Sequence, residues 1–417
     1  MPRVGSNSLT ARILKAAVLV VVLVAALPYA WGPIYHFPKP AVFSGAHFLN
    51  PYTGVHGTWQ RANLHAHGRA WNGITNGQQP DEEVVQRYHG MGYTVAGISD
   101  YERIATLHGV PTMPIYEHGY NIGKHHQLAI NAHAVEWFDF LLWQSVSHEQ
   151  YIIDRVARTA DLVAIAHPSL RDAYSRDDMR RLTGYQLMEV VNGPSAVDDV
   201  WDAALSAGHP VWALANDDTH DVNDPRRTGV AWNMIDAPTT STSDVVSALR
   251  AGRTYAVARA TDAAAAAAPV MPGVPGVMDT SVASVGVADG RLVVTCDGAP
   301  ATFVFVGQNG NIRKTVKNVV AADYTFDLAD TYIRTVIRSR QTTMYLNPVI
   351  RYDGVHVPAP AATVDAASTW LLRGTCLFAG ATMLVVMRKR RRAPAPASAS
   401  ATATPGRALS GTRQKTA

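Results

Sequence analysis

Short apolar stretches that each end beside a histidine or an acidic residue are the feature of this sequence that most constrains its fold. Residues 162–166 lead directly to His167, and residues 211–215 lead to Asp218. Apolar stretches of this length are typical of buried strands. In barrels of parallel strands, active-site groups lie at the carboxyl ends of the strands. The pattern therefore predicts a parallel α/β architecture in which residues distant in sequence form one site.

Two histidines follow another such stretch, in the sequence Asn63-Leu64-His65-Ala66-His67. Alternate residues of a strand point to the same face, so His65 and His67 would present two imidazoles side by side. Neutral imidazole is a common metal ligand. With sixteen histidines in 417 residues, this pair taken alone is equally explained by chance.

Further motifs follow in order along the chain: Ser99-Asp100, Glu117, a histidine at 125 or 126, Ala166-His167-Pro168 and Asp218-Thr219-His220. With these motifs, residues from about Thr58 to Val257 resemble the PHP (polymerase and histidinol phosphatase) family of metal-dependent hydrolases. The segments 189–193 and 252–255 are similar to one subgroup, and the apolar termini suggest a membrane-anchored form. The resemblance implies a distorted TIM-like (β/α)7 barrel and metal-dependent hydrolysis of a phosphoester.

The resemblance also implies roles for individual residues. Glu117 would bridge two divalent ions, Zn, Mn or Fe, and the ions would supply an activated water. One ion would be completed by His65, His67 and Asp218, and the other by His126 and His167. His125 competes with His126 for its role, and the strand alternation through Leu128 and Ile130 favours His126. Asp100 and His220 are the candidate catalytic residues.

Two departures from the family pattern concern a third metal ion. Asn72 and Tyr101 stand where the family has groups that would help His220 hold that ion. We therefore expect two ions, with His220 free to contact substrate or to act as a general acid. Arg226 and Arg227 are candidates to bind the phosphoester, because guanidinium groups match phosphate oxygens; ordinary surface arginine is the alternative.

Apolar segments lie near both chain ends, at residues 13–31 and 368–387. About 20 apolar residues span a bilayer core of ~30 Å. Each segment has its basic residues on the terminal side, which favours the cytoplasm for residues 1–12 and 388–417 and places the rest outside. A cleaved signal peptide is the alternative for the first segment, but the sequence before Ala30 lacks a clean small-x-small site.

The formal net charge of +4 does not indicate nucleic-acid binding, because residues 388–392 alone carry five positive charges. The rest of the chain is close to neutral, so no broad basic surface is predicted. No nucleic-acid partner is expected for a chain held outside the cytoplasm.

The intervening chain divides into a linker (32–57), the metallohydrolase domain (58–259), an Ala/Pro/Gly linker (260–275) and a small β-sandwich (276–360). The β-sandwich is indicated by short stretches of alternating apolar and polar residues. Asp-Gly and Asn-Gly, which favour hairpin turns, separate these stretches. An Ala/Ser/Pro/Thr-rich tail after residue 392 is expected to be disordered.

The expected function is thus metal-dependent hydrolysis of a small-molecule or lipid-derived phosphoester at a membrane. Two alternatives stay open. One is a non-catalytic receptor or scaffold on a degenerate PHP domain, for which Asn72 and Tyr101 are the support. The other is a hydrolase of a lipid headgroup or an envelope polymer, which only the tether suggests.

Overall fold

The structure, a computed structural model, describes residues 6–107, 112–260 and 278–392. Most of the predicted 260–275 linker, the tail after residue 392 and the first five residues lie outside these ranges. The described residues up to Thr369 form one compact unit, and those from Trp370 onwards form another.

Local sequence signals account for the starts of two of the helices. Pro80 precedes the second helix, whose first turn carries Asp81, Glu82 and Glu83, and acidic side chains stabilise the positive end of the helix dipole. In the sixth helix, the Ser241 side chain accepts a hydrogen bond from the Asp244 amide. The helices are α1 (Ser6–Trp31), α2 (Asp81–Gly90), α3 (Val146–Val156), α4 (Arg176–Met179), α5 (Asp199–Ser206), α6 (Thr242–Arg250) and α7 (Ala366–Arg392).

The strands before residue 260 are β1 (Tyr35–His36), β2 (His47–Leu49), β3 (Trp59–Asn63), β4 (Val95–Ala96), β5 (Ile115–His118), β6 (Gln127–Ala132), β7 (Ala160–Ile165), β8 (Leu187–Asn192), β9 (Ser195–Ala196), β10 (Trp212–Asn216), β11 (Ala231–Asp236) and β12 (Thr254–Arg259). Those after residue 278 are β13 (Thr280–Ala288), β14 (Arg291–Gly298), β15 (Ala301–Gly307), β16 (Asn311–Val319), β17 (Ala321–Thr325), β18 (Tyr332–Arg338), β19 (Thr342–Leu346), β20 (Val349–Tyr352) and β21 (Thr363–Val364).

Strand pairing closes β3, β4, β5, β6, β7, β8 and β10 into a ring. β3 pairs with β4, and the strands from β5 to β10 form a separate sheet. Parallel bridges join the two sets, between Ile98 and Pro114 and between Ala66 and Thr219. The mixed α/β class agrees with the sequence, but the expectation of wholly parallel strands is wrong, because β6 runs antiparallel to both of its neighbours.

The β-rich region after residue 278 shares a sheet with the region before it. β12 pairs with β19, so one sheet runs from β16 through β15, β18, β19, β12, β11 and β3 to β4. A smaller sheet, β13-β14-β17, contributes Val285 and Val294 to the same core as Phe303 and Phe305 of β15. The β-rich region therefore contributes strands to two sheets, one of which continues into the ring.

Residues 32–57, predicted as a linker, are packed against the folded unit. β1 pairs with β21 and β2 pairs with β20, and Phe43 is buried in the main core. The Pro- and Gly-rich composition suggested a linker because it lacks strand periodicity. The segment is instead held by backbone pairing with residues more than 300 positions away.

Helices α1 and α7 are long and apolar enough to cross a membrane over Leu9–Trp31 and Ala366–Lys389. The most apolar 18 residues of each stretch include none that the protein buries. Their length and composition fit the predicted membrane segments.

Candidate metal centre

Glu117 lies at the centre of a buried group of histidines. Strand β5 places its carboxylate inside the ring, where it is fully buried. Its Oε1 is 2.6 Å from Nδ1 of His126 and 2.9 Å from Nε2 of His167. Its Oε2 is 3.4 Å from Nε2 of His65 and 3.2 Å from Nε2 of His67. Each carboxylate oxygen therefore faces its own pair of histidines.

Asp218, after β10, is the second carboxylate of the group. Its Oδ1 lies 3.1 Å from Nε2 of His65 and 3.2 Å from Nε2 of His67. Nε2 of His220 is 3.8 Å from the same oxygen, and the His220 ring stacks on His67 at 4.3 Å. Asp218 thus joins the His65–His67 pair to His220 at the more exposed side of the group.

The arrangement fits metal ions better than hydrogen bonds among the side chains. Oε2 of Glu117 and Nε2 of His126 are buried and make no hydrogen bond with the described residues, which is costly unless another partner is present. Two imidazole nitrogens, Nε2 of His65 and of His67, face each other at 3.2 Å. Ligand atoms lie within 4.8 Å of one another in four overlapping sets: His65–His67–Glu117, Glu117–His126–His167, His65–His167–Asp218 and His67–Asp218–His220.

The electrostatics of the group favour a bound positive charge. Burial works against protonation of His67, but the neighbouring carboxylates of Asp218 and Glu117 raise its pKa to about 9. For Glu117, burial is outweighed by the charges of His126 and His65, which hold the pKa of the carboxyl well below its usual range. Buried carboxylates that stay ionised beside imidazole nitrogens provide the mixed N/O ligand set that Zn, Mn and Fe accept.

The backbone around the ligands adopts conformations that few residues tolerate. His167 has φ of 27° and Asp218 has φ of 48°, both in the left-handed region that non-glycine residues rarely occupy. Gly119 has φ of 131°, and a Cβ there would collide with the His126 ring. Such strain persists only when the surroundings enforce it, and it is frequent at functional sites.

Backbone hydrogen bonds bring the ends of β3 and β10 together. The Asp218 amide donates to the His65 carbonyl and the His67 amide donates to the Thr219 carbonyl, both at 2.9 Å. The Asn63 side chain accepts from the Asp217 amide at 2.9 Å and donates to the His65 carbonyl at 3.1 Å. An aspartate at 63 could not donate to the His65 carbonyl, so both hydrogen bonds require the asparagine amide.

Sequence reasoning assigned no role to Glu189, which the structure places behind the histidines. The carboxylate is buried and accepts from Nδ1 of His65 at 2.9 Å and from the His167 amide at 2.8 Å. Asn192 and Asn216 also donate to it. A carboxylate behind a ligating histidine fixes the tautomer and the ring orientation. The sequence signal that could have identified Glu189 is its position in segment 189–193, whose resemblance to one subgroup is described above.

Asp100, predicted as catalytic, is not brought into the histidine group. Its carboxylate accepts from the Gly68 amide at 2.8 Å and pairs with Arg103, which also pairs with Asp81. Asp100 therefore holds the loop that follows His67. The neighbouring Tyr101 lies closer to the site, because its ring stacks on His67 at 4.7 Å.

The two candidates for the lone histidine are separated by the structure. His126 contacts Glu117, whereas Nε2 of His125 lies 3.3 Å from Glu149 on α3. Strand alternation from β6 explains the difference, because adjacent residues point to opposite faces.

Arg226 and Arg227, predicted to bind substrate, are exposed, and Arg226 pairs with Asp224. Within the part of the chain that the structure describes, neither arginine contacts the histidine group. Lys124 lies closer to the site, with its Nζ 5.7 Å from the centre of the Tyr101 ring. Burial, with smaller contributions from the charges of His167 and Lys124, lowers the pKa of His126 to about 4 against the raising effect of Glu117. The position of Lys124 in an irregular loop gave no sequence signal.

His220 has a side chain that is 27% exposed, so one edge of it reaches the mouth of the site. Burial and then the charge of His67 lower its pKa to about 4, which leaves the imidazole neutral near pH 7. A cavity of about 230 Å³ lies beside His167 and Glu189. Its apolar walls are formed by Pro168, Leu170, Val190 and Val197, and its other polar residues are Ser169, Arg171, Asn192 and Ser195.

Comparisons with known proteins give one structural likeness. A solved two-domain protein from Bacteroides vulgatus, described as containing a predicted PHP-like metal-dependent phosphoesterase, has a TM-score of 0.39 and 11% identity to this chain, covering 75% of this chain and 100% of its own. No protein-family model and no curated protein matches the sequence.

Proposed function

We propose that this chain is a metal-dependent hydrolase that acts on a phosphoester, with a distorted TIM-like barrel anchored outside the cytoplasm by α1 and α7. The observation that carries the proposal is the position of Glu117, with one oxygen facing His126 and His167 and the other facing His65 and His67. A carboxylate shared between two ligand sets is the arrangement of two-metal hydrolytic sites.

Two divalent ions, Zn, Mn or Fe, would supply an activated water and neutralise charge on the substrate. His65, His67 and Asp218 would hold one ion, His126 and His167 the other, and Glu117 both. Glu189 keeps Nε2 of His65 directed inward by accepting from its Nδ1. These residues thus supply the geometry, and no side-chain nucleophile is required.

Lys124 and His220 are the groups of this chain best placed to contact the substrate. Lys124 is a half-buried cation beside Tyr101, so it can pair with a phosphate oxygen. His220 is neutral near pH 7; we therefore assign it to substrate contact rather than to the general-acid role that the sequence also allowed. Arg226 and Arg227 have no part in this proposal.

The test is metal analysis and an esterase panel on the full chain purified in detergent. We expect about two equivalents of metal and turnover of phosphomonoesters or phosphodiesters with Mn or Zn, but not of carboxylic esters. Absence of metal after metal-replete purification would support the non-catalytic scaffold instead. Turnover of carboxylic esters alone would retain the hydrolase and exclude the phosphoester substrate.

A further inference from the structure

The exposed hydrophobic side chains around the metal centre are unevenly distributed. Within the described residues between 58 and 259, the large hydrophobic side chains that are well exposed all lie on loops at the end of the ring that carries the histidines: Trp71, Ile74, Tyr120, Ile122, Trp137, Leu141, Leu142, Trp143 and Leu170. Trp143 is 75% exposed and Ile74 is 87% exposed. Clustered exposed apolar groups mark an interaction surface, whereas single ones do not.

These loops form one continuous rim. The Tyr120 hydroxyl donates to the Trp137 carbonyl at 2.7 Å, and the Ile122 amide donates to the Leu141 carbonyl at 3.0 Å. The rings of Trp71 and Trp137 are 5.9 Å apart. We call this surface, made of Trp71, Ile74, Tyr120, Ile122, Trp137 and residues 141–143, the apolar rim.

The apolar rim leads directly to the candidate metal ligands. The Trp71 indole donates to the Tyr101 carbonyl at 2.8 Å, and the Tyr101 ring stacks on His67 at 4.7 Å. The segment carrying Tyr120 and Ile122 connects Glu117 with His126 along the chain. Any surface that covers the rim therefore also covers the mouth of the metal site.

The apolar rim also contacts the C-terminal end of α1. The Leu142 amide donates to the Tyr29 hydroxyl at 2.6 Å, and the Tyr29 ring packs against Phe140 at 5.1 Å. Tyr29 lies in the last turn of the apolar stretch that ends at Trp31. Leu142 and Trp143 are therefore at the level where α1 would leave a bilayer.

The residue composition of the apolar rim also suits contact with a bilayer surface. Trp and Tyr are enriched at the membrane–water interface, because their rings are apolar and carry a polar group. Two cations flank the rim at Ile122: Arg171 donates to its carbonyl at 3.2 Å, and Lys124 lies two residues further on. Basic residues near the surface attract anionic lipid headgroups.

We propose that the apolar rim lies on the bilayer from which α1 emerges, and that the substrate is a phosphoester carried by a lipid of that membrane. The inference rests on the proposed function and specifies its substrate class. In the reaction, a water oxygen bonds to phosphorus, the bond from phosphorus to the alcohol oxygen breaks, and that oxygen takes up the proton released by the water. The apolar cavity beside His167 would receive the lipid part next to the headgroup.

The test uses the full chain reconstituted in phosphatidylcholine vesicles that contain phosphatidic acid, phosphatidylglycerol or phosphatidylethanolamine. Soluble controls are dibutyryl phosphatidic acid and p-nitrophenyl phosphate. We expect Trp137→Ala, Leu142→Ala and Trp143→Ala each to lower hydrolysis of a vesicle lipid about tenfold, which is the effect of losing roughly 1.4 kcal/mol of interfacial binding. Hydrolysis of the soluble esters should not change. Leu328→Ala, at a fully exposed position of the β-rich region, is the matched control and should change neither.

A second measurement does not depend on activity. Brominated phosphatidylcholine should quench part of the tryptophan fluorescence, and Trp143→Phe should remove a quenched component that Leu328→Ala retains. One result would overturn the inference and leave the proposed function intact: the protein hydrolyses the soluble esters but no vesicle lipid, and Trp143 is not quenched. Quenching at Trp143 without hydrolysis of any phosphoester would overturn the proposed function and the lipid substrate, but not the membrane-facing rim.

Discussion

At the scale of single residues, Glu117 is expected to be the least replaceable member of the site. Glu117→Gln keeps the shape and removes the charge that faces four imidazole nitrogens, so the repulsion between two cations would be uncompensated. We expect metal content to fall well below two and hydrolysis to be lost, with the fold retained. Elemental analysis, an activity assay and circular dichroism check this.

Glu136→Gln is the matched control for that substitution. Glu136 is the next carboxylate along the chain but pairs with Arg155 away from the histidines, so its loss should leave metal content unchanged. Retention of both ions and of near-normal turnover in Glu117→Gln would show that the carboxylate does not bridge.

His220→Ala is expected to behave differently from Glu117→Gln. His220 lies 3.8 Å from Asp218 and is partly exposed, and we assign it to substrate contact. Metal content should therefore stay near two while turnover falls about a hundredfold, which is typical of losing one positioned polar group in an active site. If His220→Ala instead loses a metal ion, the set His67–Asp218–His220 holds a third ion, and our interpretation of Asn72 and Tyr101 is wrong.

Glu189 offers a test of positioning rather than ligation. Glu189→Gln can still contact Nδ1 of His65 but removes the charge that fixes its tautomer. Loss of such a carboxylate typically weakens metal affinity about 10–100-fold, so we expect a higher metal concentration to restore activity. Activity that saturating metal fails to restore would argue for a direct role in the reaction.

At the scale of secondary structure elements, α3 carries a buried acid that links stability to pH. Burial raises the pKa of Glu149 from 4.5 to about 7, against a lowering hydrogen bond from His125. The folded state therefore binds a proton that the unfolded state releases between these values. The stabilisation is complete below about pH 4.5 and is lost as the pH rises through 7.

Glu149→Gln should remove this dependence. A shift from 4.5 to about 7 corresponds to roughly 3 kcal/mol, so the variant should be more stable than the parent at pH 8 by up to that amount and about equal at pH 4.5. Thermal unfolding in detergent at both pH values measures the difference. Glu82→Gln, on the exposed side of α2, is the control. If the stability difference between Glu149→Gln and the parent is the same at both pH values, the raised pKa of Glu149 is contradicted.

The elements also show what the sequence could predict. Helix α2 and strand β18 follow from periodicity, Pro80 and the alternation of apolar residues, all of which are local signals. The antiparallel direction of β6 and the pairing of β12 with β19 depend on contacts between distant residues, which leave no local pattern. The histidines and Glu117 were found because each lies in or beside a strand, whereas Lys124 lies in an irregular loop.

At the scale of the whole molecule, the residues that follow α1 and the first residues of α7 lie side by side. β1, just after α1, pairs with β21, just before α7. The Ile34 amide donates to the Thr369 hydroxyl at 2.9 Å, and the Asp365 amide donates to the Ile34 carbonyl at 2.8 Å. From this shared two-stranded ribbon we expect both apolar segments to enter a membrane from the same side.

We therefore predict that both termini are cytoplasmic and that residues from about 40 to 367 are not. Arg3, Arg12 and Lys15 lie on the terminal side of the first apolar segment, and residues 388–392 lie on that of the second, as expected for cytoplasmic flanks. Reporters that are active in only one compartment, fused at residues 1 and 417, should give cytoplasmic signals. The same reporter fused after residue 360, before the second segment, should give the opposite signal. An extracytoplasmic signal at residue 417 would mean that α7 does not cross the membrane, and a cytoplasmic signal at residue 360 would place the metal centre inside the cell and exclude a substrate in the outer leaflet.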